Sequence, residues 1–546
     1  MIIELKRGFN LVKILDMLDV NNYFKCDVIC ENNIPIHQFV YLSEEQNCTS
    51  STTKKSSLFW YNEISNKSTY EILFHTAKTG AIYLTCHSDK THKIEIDNIY
   101  VSYIEEDSQS IIYYDFNTFK NNKVYPTWNE LILKDINLDL NTAFDYPLIE
   151  NTYNEEEIIA MINVLLTNKL TMGKKVEEFE NEFASYVGSK YAIMVNSGSS
   201  ANLLAMAVAT NYMRKNKLNS GDKIIVPNIC WSTSVWPIVQ MGLIPVFVDV
   251  DPTTMNIDIN ALEKLLTPDV KGIMAVHILG NCTNMEKLMH IVQQNNLFLM
   301  EDTCESLGST YNNKMLGTFG DFGTYSFYYS HHITTIEGGM VVCNNHEDYE
   351  LLKCLRAHGW TRLLKNKVNY ENEYPDVDSR FLFVNVGYNF RPMETQAAMG
   401  LIQLKKLKIK NDMRVYNHNE ILKCILQDRR NTNIFETPIA TENSVPAWFG
   451  LVFILDEKYT PHYKTFLEHL SVHNVENRPI VTGNFARQPI FKLMGYDLTP
   501  ENYPGAEILH KRGFFIGLSC NYINAEKIQK LADIFYSYFT NFAQEF

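Results

Sequence analysis

The sequence predicts an α/β protein: a large domain with a mainly parallel sheet covered by helices, a mostly β segment before it and a small α+β domain after it. Three observations predict it. Apolar residues recur at period two up to about residue 140. Strand-like and helix-like stretches alternate from about residue 145. Past Asp412 the two patterns mix without regular alternation. The 546 residues exceed a typical domain of ~150 several-fold, and the expected divisions are 1–140, 141–412 and 413–546.

In the first division the period-two stretches Tyr70–His75, Ala81–Cys86, Lys93–Ile104 and Ile111–Phe116 read as antiparallel strands. Cys48–Ser57 is a polar loop, and Val124–Asn141 reads as a linker. No phosphate loop or paired catalytic set occurs there, so the segment is read as an accessory module for binding or packing. Cys26 and Cys30, with His37 and Cys48 downstream, have the residue types of a zinc site. Positions 26 and 30 also share one face of a strand, and buried strand cysteines are the simpler reading.

In the second division the expected strands are Tyr191–Val195, Lys223–Val226, Pro245–Val250, Gly272–His277 and Leu297–Glu301. Helices are expected at Leu203–Met213, Asn260–Leu266 and Asn284–Gln294. Such β-α alternation gives a mainly parallel sheet, and ligands sit at the carboxyl ends of its strands.

Composition narrows the function. The 49 Lys+Arg against 63 Asp+Glu give a net charge of −14. That balance gains no counterion-release energy on nucleic acid or an anionic membrane. Glu4, Lys6, Arg7, Lys13 and Asp16 interrupt the N-terminal apolar residues, leaving no continuous leader core. No run of 18 apolar residues marks a membrane span. Eleven scattered cysteines without a Cys-x-x-Cys pair suit a reducing compartment, so a cytoplasmic location is expected.

Three segments carry chemistry. VNSGSSANLLA (Val195–Ala205) reads as a strand end, a turn and a helix start. Free N–H groups there favour a phosphate, and Gly198 lets the backbone approach closely. Ser200 as a helix N-cap explains the same residues. FLMEDTCESLG (Phe298–Gly308) delivers Asp302 at a strand's carboxyl end. A carboxylate there can hold a pyridinium N–H or simply cap a helix. DFGTYSFYYSHHITTIEGGMVVCNN (Asp321–Asn345) places His331 and His332 between two strand-like stretches, with Ser326 ahead of them. Alone, such a pair is more often structural than catalytic.

In this order and spacing the segments, from about 145 to 546, resemble the DegT/DnrJ/EryC1/StrS family of sugar-nucleotide aminotransferases. The resemblance implies the fold-type-I, aspartate-aminotransferase-like architecture and pyridoxal 5′-phosphate or pyridoxamine 5′-phosphate as cofactor. In the family, a Ser-Phe-x-x-x-Lys segment ahead of a Glu-Gly-Gly turn supplies the lysine that bonds covalently to the cofactor. Here SFYYSHHITTIEGG (Ser326–Gly339) places His331 at that position, 29 residues after Asp302. An imidazole cannot form that bond, so the cofactor would be held non-covalently. It can move a proton near neutral pH, with an ordinary pKa of about 6.5.

The His-His-Ile-Thr version resembles the sugar 3-dehydratases that make 3,6-dideoxyhexoses. One group holds an iron–sulfur cluster on close cysteines. The other needs no metal, acts on GDP-4-keto-6-deoxymannose and takes its amino group from L-glutamate. Downstream of His331 only Cys343, Cys354, Cys424 and Cys520 occur, none clustered, which favours the metal-free group.

Position by position, the resemblance implies that Gly198, Ser199 and Ser326 hold the phosphate. Trp231, in PNICWSTSVWP (Pro227–Pro237), would stack on the ring. Asp302 would pair with the ring nitrogen, and Glu305 would lie near the ring hydroxyl. His331 would be the acid/base. His358, in CLRAHGWTR (Cys354–Arg362), and Arg478, in ENRPIVTGNFARQP (Glu476–Pro489), would contact the nucleotide-linked 4-keto-6-deoxyhexose or glutamate. GFFIGLSC (Gly513–Cys520) would line the same pocket. Asn389, in FVNVGYNFRPMETQAAMG (Phe383–Gly400), would reach the phosphate of a neighbouring subunit, which implies a homodimer with shared sites. An aminotransferase working without the lysine, an iron–sulfur 3-dehydrase and a non-catalytic sugar-binding protein stay open as alternatives.

Overall fold

The computed structural model describes residues 144–540 in full and, before them, the backbone of a set of strands. It divides into two compact units, Met1–Asn141 and Thr142–Phe546.

In the first unit every described strand pair is antiparallel. Gly80–Ser88 lies between Gly8–Leu18 and Ile36–Ser43. His92–Ile104 pairs with Ile2–Leu5, Asn22–Cys30 and Ile111–Asp115, and Asn22–Cys30 pairs also with Thr69–His75. Cys26 and Cys30 fall on one strand. Their side chains, those of His37 and Cys48, the loop Cys48–Ser57 and the expected linker Val124–Asn141 lie outside the described residues.

The second unit opens with two helices that the strand-helix alternation does not reveal, α1 (Glu155–Leu166) and α2 (Lys174–Val187). Asn154 caps α1 in a reciprocal box with Glu157, and Glu155–Glu157 place negative charge at its N-terminus. Glu157 is fully buried and accepts from Lys406 (2.9 Å) and Gln403 (2.6 Å). Both partners lie on the long helix α5 (Glu394–Leu426). The first residue of α5, Glu394, returns the contact by accepting N–H bonds from Gly173, Lys175 and Val176 at the start of α2.

The central sheet holds β1 (Tyr191–Val195), β2 (Lys223–Pro227), β3 (Ile244–Val248), β4 (Val270–Val276), β5 (Phe298–Asp302), β6 (Phe322–Ser326) and β7 (Gly339–Cys343). Their order is β3-β2-β4-β5-β6-β7-β1. All neighbours are parallel except β7, which is antiparallel to both β6 and β1. Side chains alternate between two cores. Ile224 and Val226 pack with α3 (Gly198–Ala209), whereas Ile225 packs with Leu288 and Ile291 of the helix Met285–Gln294. A sheet covered on both faces needs near-continuous apolar strands, which these are. Fully buried side chains such as Leu204 and Phe179 stabilise the unit by about 1.5–3 kcal/mol each.

Two expectations need correction. The helix expected at Leu203–Met213 begins at Gly198, because Ser197, not Ser200, is the N-cap: its Oγ accepts from Ser200 N at 3.1 Å. The division expected at 412/413 falls inside α5. Leu407, Asn411, Arg414, His418, Ile421 and Ile425 are buried at helical spacing across it, so one continuous face serves both parts. Beyond α5, β8 (Phe435–Glu436), β9 (Gly450–Leu455), β10 (Asn477–Pro479) and β11 (Gly513–Gly517) form an antiparallel sheet in the order β8-β9-β11-β10. Helix α6 (Ala525–Thr540) packs against its apolar core.

Candidate active site

The β1–α3 turn is built for close approach. A Cβ on Gly198 would lie 2.6 Å from Ser326 Cβ and 3.0 Å from Ser326 Oγ. Only glycine lets the end of β6 meet the first turn of α3. Ser326 Oγ accepts from Tyr328 N at 3.3 Å, and Ser199 Oγ donates to Thr233 Oγ1 at 3.2 Å. Backbone N–H groups and hydroxyls thus meet at the positive end of a twelve-residue helix, a setting that favours an anion.

Asp302 ends β5 and is 5% exposed. Its Oδ2 accepts from Asn202 Nδ2 (2.8 Å) and Ser234 Oγ (2.7 Å), and its Oδ1 from Cys304 N (3.2 Å). Asn202 is itself fixed by Thr324 Oγ1 at 2.6 Å. The neighbouring Glu301 points away: it gathers the N–H groups of Gly317, Phe319 and Gly320 and thereby holds the loop leading into β6. Trp231 precedes α4 (Ser232–Gln240), and its ring is exposed. Glu305 accepts from Leu279 N at 3.0 Å. Burial pushes its carboxyl up to about 7; the Leu279 N–H opposes the shift and nearby Asp302 adds to it.

The two histidines are adjacent in sequence and differ in setting. His332 is 1% exposed, and its Nε2–H donates to Ala447 O at 2.7 Å. His331 is half-buried, with its backbone N–H on Tyr328 O and its ring 5.3 Å from that of Phe449. Its buried Nδ1 has no protein partner. Burial lowers the His331 pKa to about 4; Asp302 opposes this and Arg414 adds to it. His332 is pushed down to about 3, by burial first and then by Arg414. Both rings are therefore neutral at pH 7.

A phosphate cradle, a clamped carboxylate and a neutral imidazole with an unspent nitrogen fit pyridoxal phosphate as a donor set. Among the described residues no group of His, Cys, Asp and Glu is placed to hold a metal ion.

Three further expected site residues make their described contacts elsewhere. His358 has φ +63°, donates its N–H to Tyr388 O at 2.7 Å and packs on Trp360 at 5.2 Å. Asn389 bridges Ala357 and accepts from Arg391 Nε at 2.8 Å. Arg478 lies on β10, more than half exposed, and pairs with Glu476 at 2.8 Å. Conversely, sequence reasoning missed Asn202, Ser234 and Thr324 around Asp302, and Phe449 and Arg414 behind the histidines. The first three lie inside or beside motifs already singled out. The last two lie in no motif and are brought in by the fold alone.

The family model of the DegT/DnrJ/EryC1/StrS aminotransferase family matches residues 151–535. The chain is 42% identical over 376 residues to the GDP-4-keto-6-deoxy-D-mannose 3-dehydratase of Escherichia coli, covering 68% of this chain and 95% of that one. It is 38% identical over 384 residues to the enzyme of the same name from Yersinia pseudotuberculosis, covering 68% and 94%. Among solved structures, the E. coli GDP-4-keto-6-deoxy-D-mannose 3-dehydratase with bound hydrated PLP superposes with a TM-score of 0.67 at 39% identity, covering 72% of this chain and 100% of that one. A GDP-4-keto-6-deoxymannose 3-dehydratase with a trapped PLP–glutamate geminal diamine matches with the same identity and coverage and a TM-score of 0.66. The fold, the placement of Gly198, Asp302 and Ser326 around one site, and these matches agree: the chain belongs to the DegT/DnrJ/EryC1/StrS aminotransferase family.

Proposed function

We propose that this chain is a pyridoxal-phosphate-dependent 3-dehydratase of GDP-4-keto-6-deoxymannose that takes its amino group from L-glutamate and yields a 4-keto-3,6-dideoxy sugar nucleotide. The observation that carries the reading is His331: a half-buried, neutral imidazole with an unspent nitrogen, in SFYYSH, electrostatically coupled to a fully clamped Asp302. The names of the relatives, which the chain matches over 94–95% of their length, support the same reading.

When bound, the cofactor supplies an electron sink and carries the amino group of glutamate. The chain's residues do the rest. Gly198, Ser199 and Ser326 bind the phosphate, and Trp231 offers its exposed ring as a platform. Asp302 holds the proton of the ring nitrogen, and Asn202 and Ser234 keep its carboxylate aimed. Glu305 would face the ring hydroxyl. His331 cannot anchor the cofactor covalently, so its imidazole stays free. It would take a proton from the cofactor's C4′ carbon and deliver it to the C3 hydroxyl of the sugar, which leaves as water. Acid–base help of this kind contributes about 10²- to 10⁴-fold in rate.

The remaining roles in this reading rest on family resemblance. Asn389 reaches the phosphate of a second subunit in a homodimer. His358 and Arg478 contact the sugar nucleotide or glutamate. The segment 1–140 is an accessory β module, and the unit that follows it carries the cofactor and completes the site. The enzyme works in the cytoplasm, the compartment its scattered cysteines suit. Among the described residues no helix is long and apolar enough to cross a membrane.

The test offers a panel of nucleotide-linked 4-keto-6-deoxyhexoses with glutamate and pyridoxal phosphate, and identifies products by NMR. The reading expects GDP-4-keto-6-deoxymannose to be consumed fastest, with a methylene at C3, a ketone at C4 and ammonia released. Faster turnover of a different nucleotide sugar would overturn the substrate assignment.

A further inference from the structure

Arg414 lies on α5 and is 4% exposed. Its Nη1 donates to the carbonyls of Phe449 (3.2 Å) and Leu518 (3.1 Å), and its Nε has no protein partner. Among the described residues no carboxylate forms an ion pair with it. The nearby Glu150 is engaged by the side chains of Ser519 and Asn521. A buried guanidinium held by carbonyls alone keeps its full charge at a desolvation cost, so it calls for a function.

What it faces supplies one. Phe449 accepts from Arg414 through its carbonyl and donates its N–H to Leu279 O at 3.0 Å. Its ring lies 5.3 Å from His331 and 5.7 Å from His332. Two residues earlier, Ala447 accepts from His332 and binds Ser309 Oγ with its N–H at 2.8 Å. Between them, Trp448 stacks on His418 at 4.5 Å. Ala447–Phe449 is thus a strut, held from the sheet side, the loop side and α5, that ends against the ring of His331.

We propose that Arg414 is a positioning residue for the dehydration: it clamps Phe449 against His331 and sets a fixed positive charge behind the histidine pair. The assignment deepens the function proposed above and rests on it for the activity readout alone. A fixed cation disfavours a second positive charge, so it keeps the imidazole in its proton-accepting form. The titratable or charged groups around His331 are Asp302 at the end of β5, Arg414 on α5, and Tyr328 and His332 on its own loop. Asp302 alone favours the imidazolium. Around Arg414 stand Glu150, Lys410 and Cys520.

The test maps diethyl pyrocarbonate modification of the His331 peptide against pH in the full chain, which needs no substrate. Arg414→Gln moves the midpoint up by about one pH unit, and Arg414→Lys, which keeps the charge, stays with the parent. In parallel, Phe449→Leu lowers kcat about tenfold, leaves the KM for the sugar nucleotide within about twofold and keeps the parent midpoint. Arg414→Met, with a similar apolar stem, replaces the glutamine variant if that fails to fold. Coincident midpoints for the parent and the neutral variants overturn the assignment, as does a Phe449→Leu enzyme with parent kcat. A shifted midpoint in a protein without dehydratase activity would sink the proposed reaction and leave the assignment of Arg414 standing.

Discussion

The two ends of the site are built on opposite plans. Around Asp302 every oxygen has a donor, the donors have partners of their own, and the carboxylate has one orientation. Around His331 the polar groups are left unspent: its Nδ1, the Nδ1 of His332 and the Nε of Arg414 are buried without protein partners. A group that holds a fixed charge throughout a reaction gains from rigid satisfaction. A group that must gain and lose a proton gains from a free nitrogen and a neutral resting state. In the proposed function the strand end takes the static role and the loop moves the proton.

The largest expected effect breaks the static end. Asp302→Asn keeps the size of the side chain and removes the charge, and its amide nitrogen can no longer accept from the donors on one side of the cradle. It should lower kcat about 10²- to 10³-fold with little change in KM for the sugar nucleotide, in steady-state assays. A loss below about tenfold would show that the fixed charge matters less than its surroundings imply.

Gly198→Ala should come next. The added Cβ would meet Ser326 Cβ at 2.6 Å, so one element must move. Overpacking of about 1–3 kcal/mol translates into about 5- to 150-fold weaker cofactor binding, readable by spectroscopic titration.

The smallest effect concerns Glu305. Its carboxyl sits at about 7 in the folded chain, above the usual carboxylate range. Between that range and pH 7 the folded chain holds a proton that the unfolded chain has released. Stability therefore falls as pH rises through this window and levels off above it. Glu305→Gln should remove this slope, so the Tm difference between pH 5 and pH 8 should shrink relative to the parent. An unchanged difference would show that Glu305 is ionised throughout.

Much of this was legible in the residues. Tyr191–Val195 reads as a strand from its apolar run and is one, and the other sheet strands shift by a residue or two at their ends. Asp302, Ser326 and Gly198 stand together because each ends a strand or opens a helix at one edge of the sheet. What stayed hidden depends on distant chain segments. The spacing singles out His331, but that His332 is the buried one, held on Ala447 O, comes from the fold. Arg414 reads as one more cation on a helix until the carbonyls of Phe449 and Leu518 surround it. The continuity of α5 through residue 412 was obscured because its buried face carries Asn411, Arg414 and His418 among the leucines and isoleucines.

In the proposed function the neutral imidazole of His331, and not the fold around it, makes the chemistry a deoxygenation. His331→Lys tests it most directly, with product analysis by NMR after incubation with GDP-4-keto-6-deoxymannose and glutamate. The account predicts that C3 keeps its hydroxyl, that any product formed carries an amine at C4, and that the cofactor becomes lysine-bound, visible in its absorbance. A lysine variant that still yields the C3 methylene at the parent rate would contradict it.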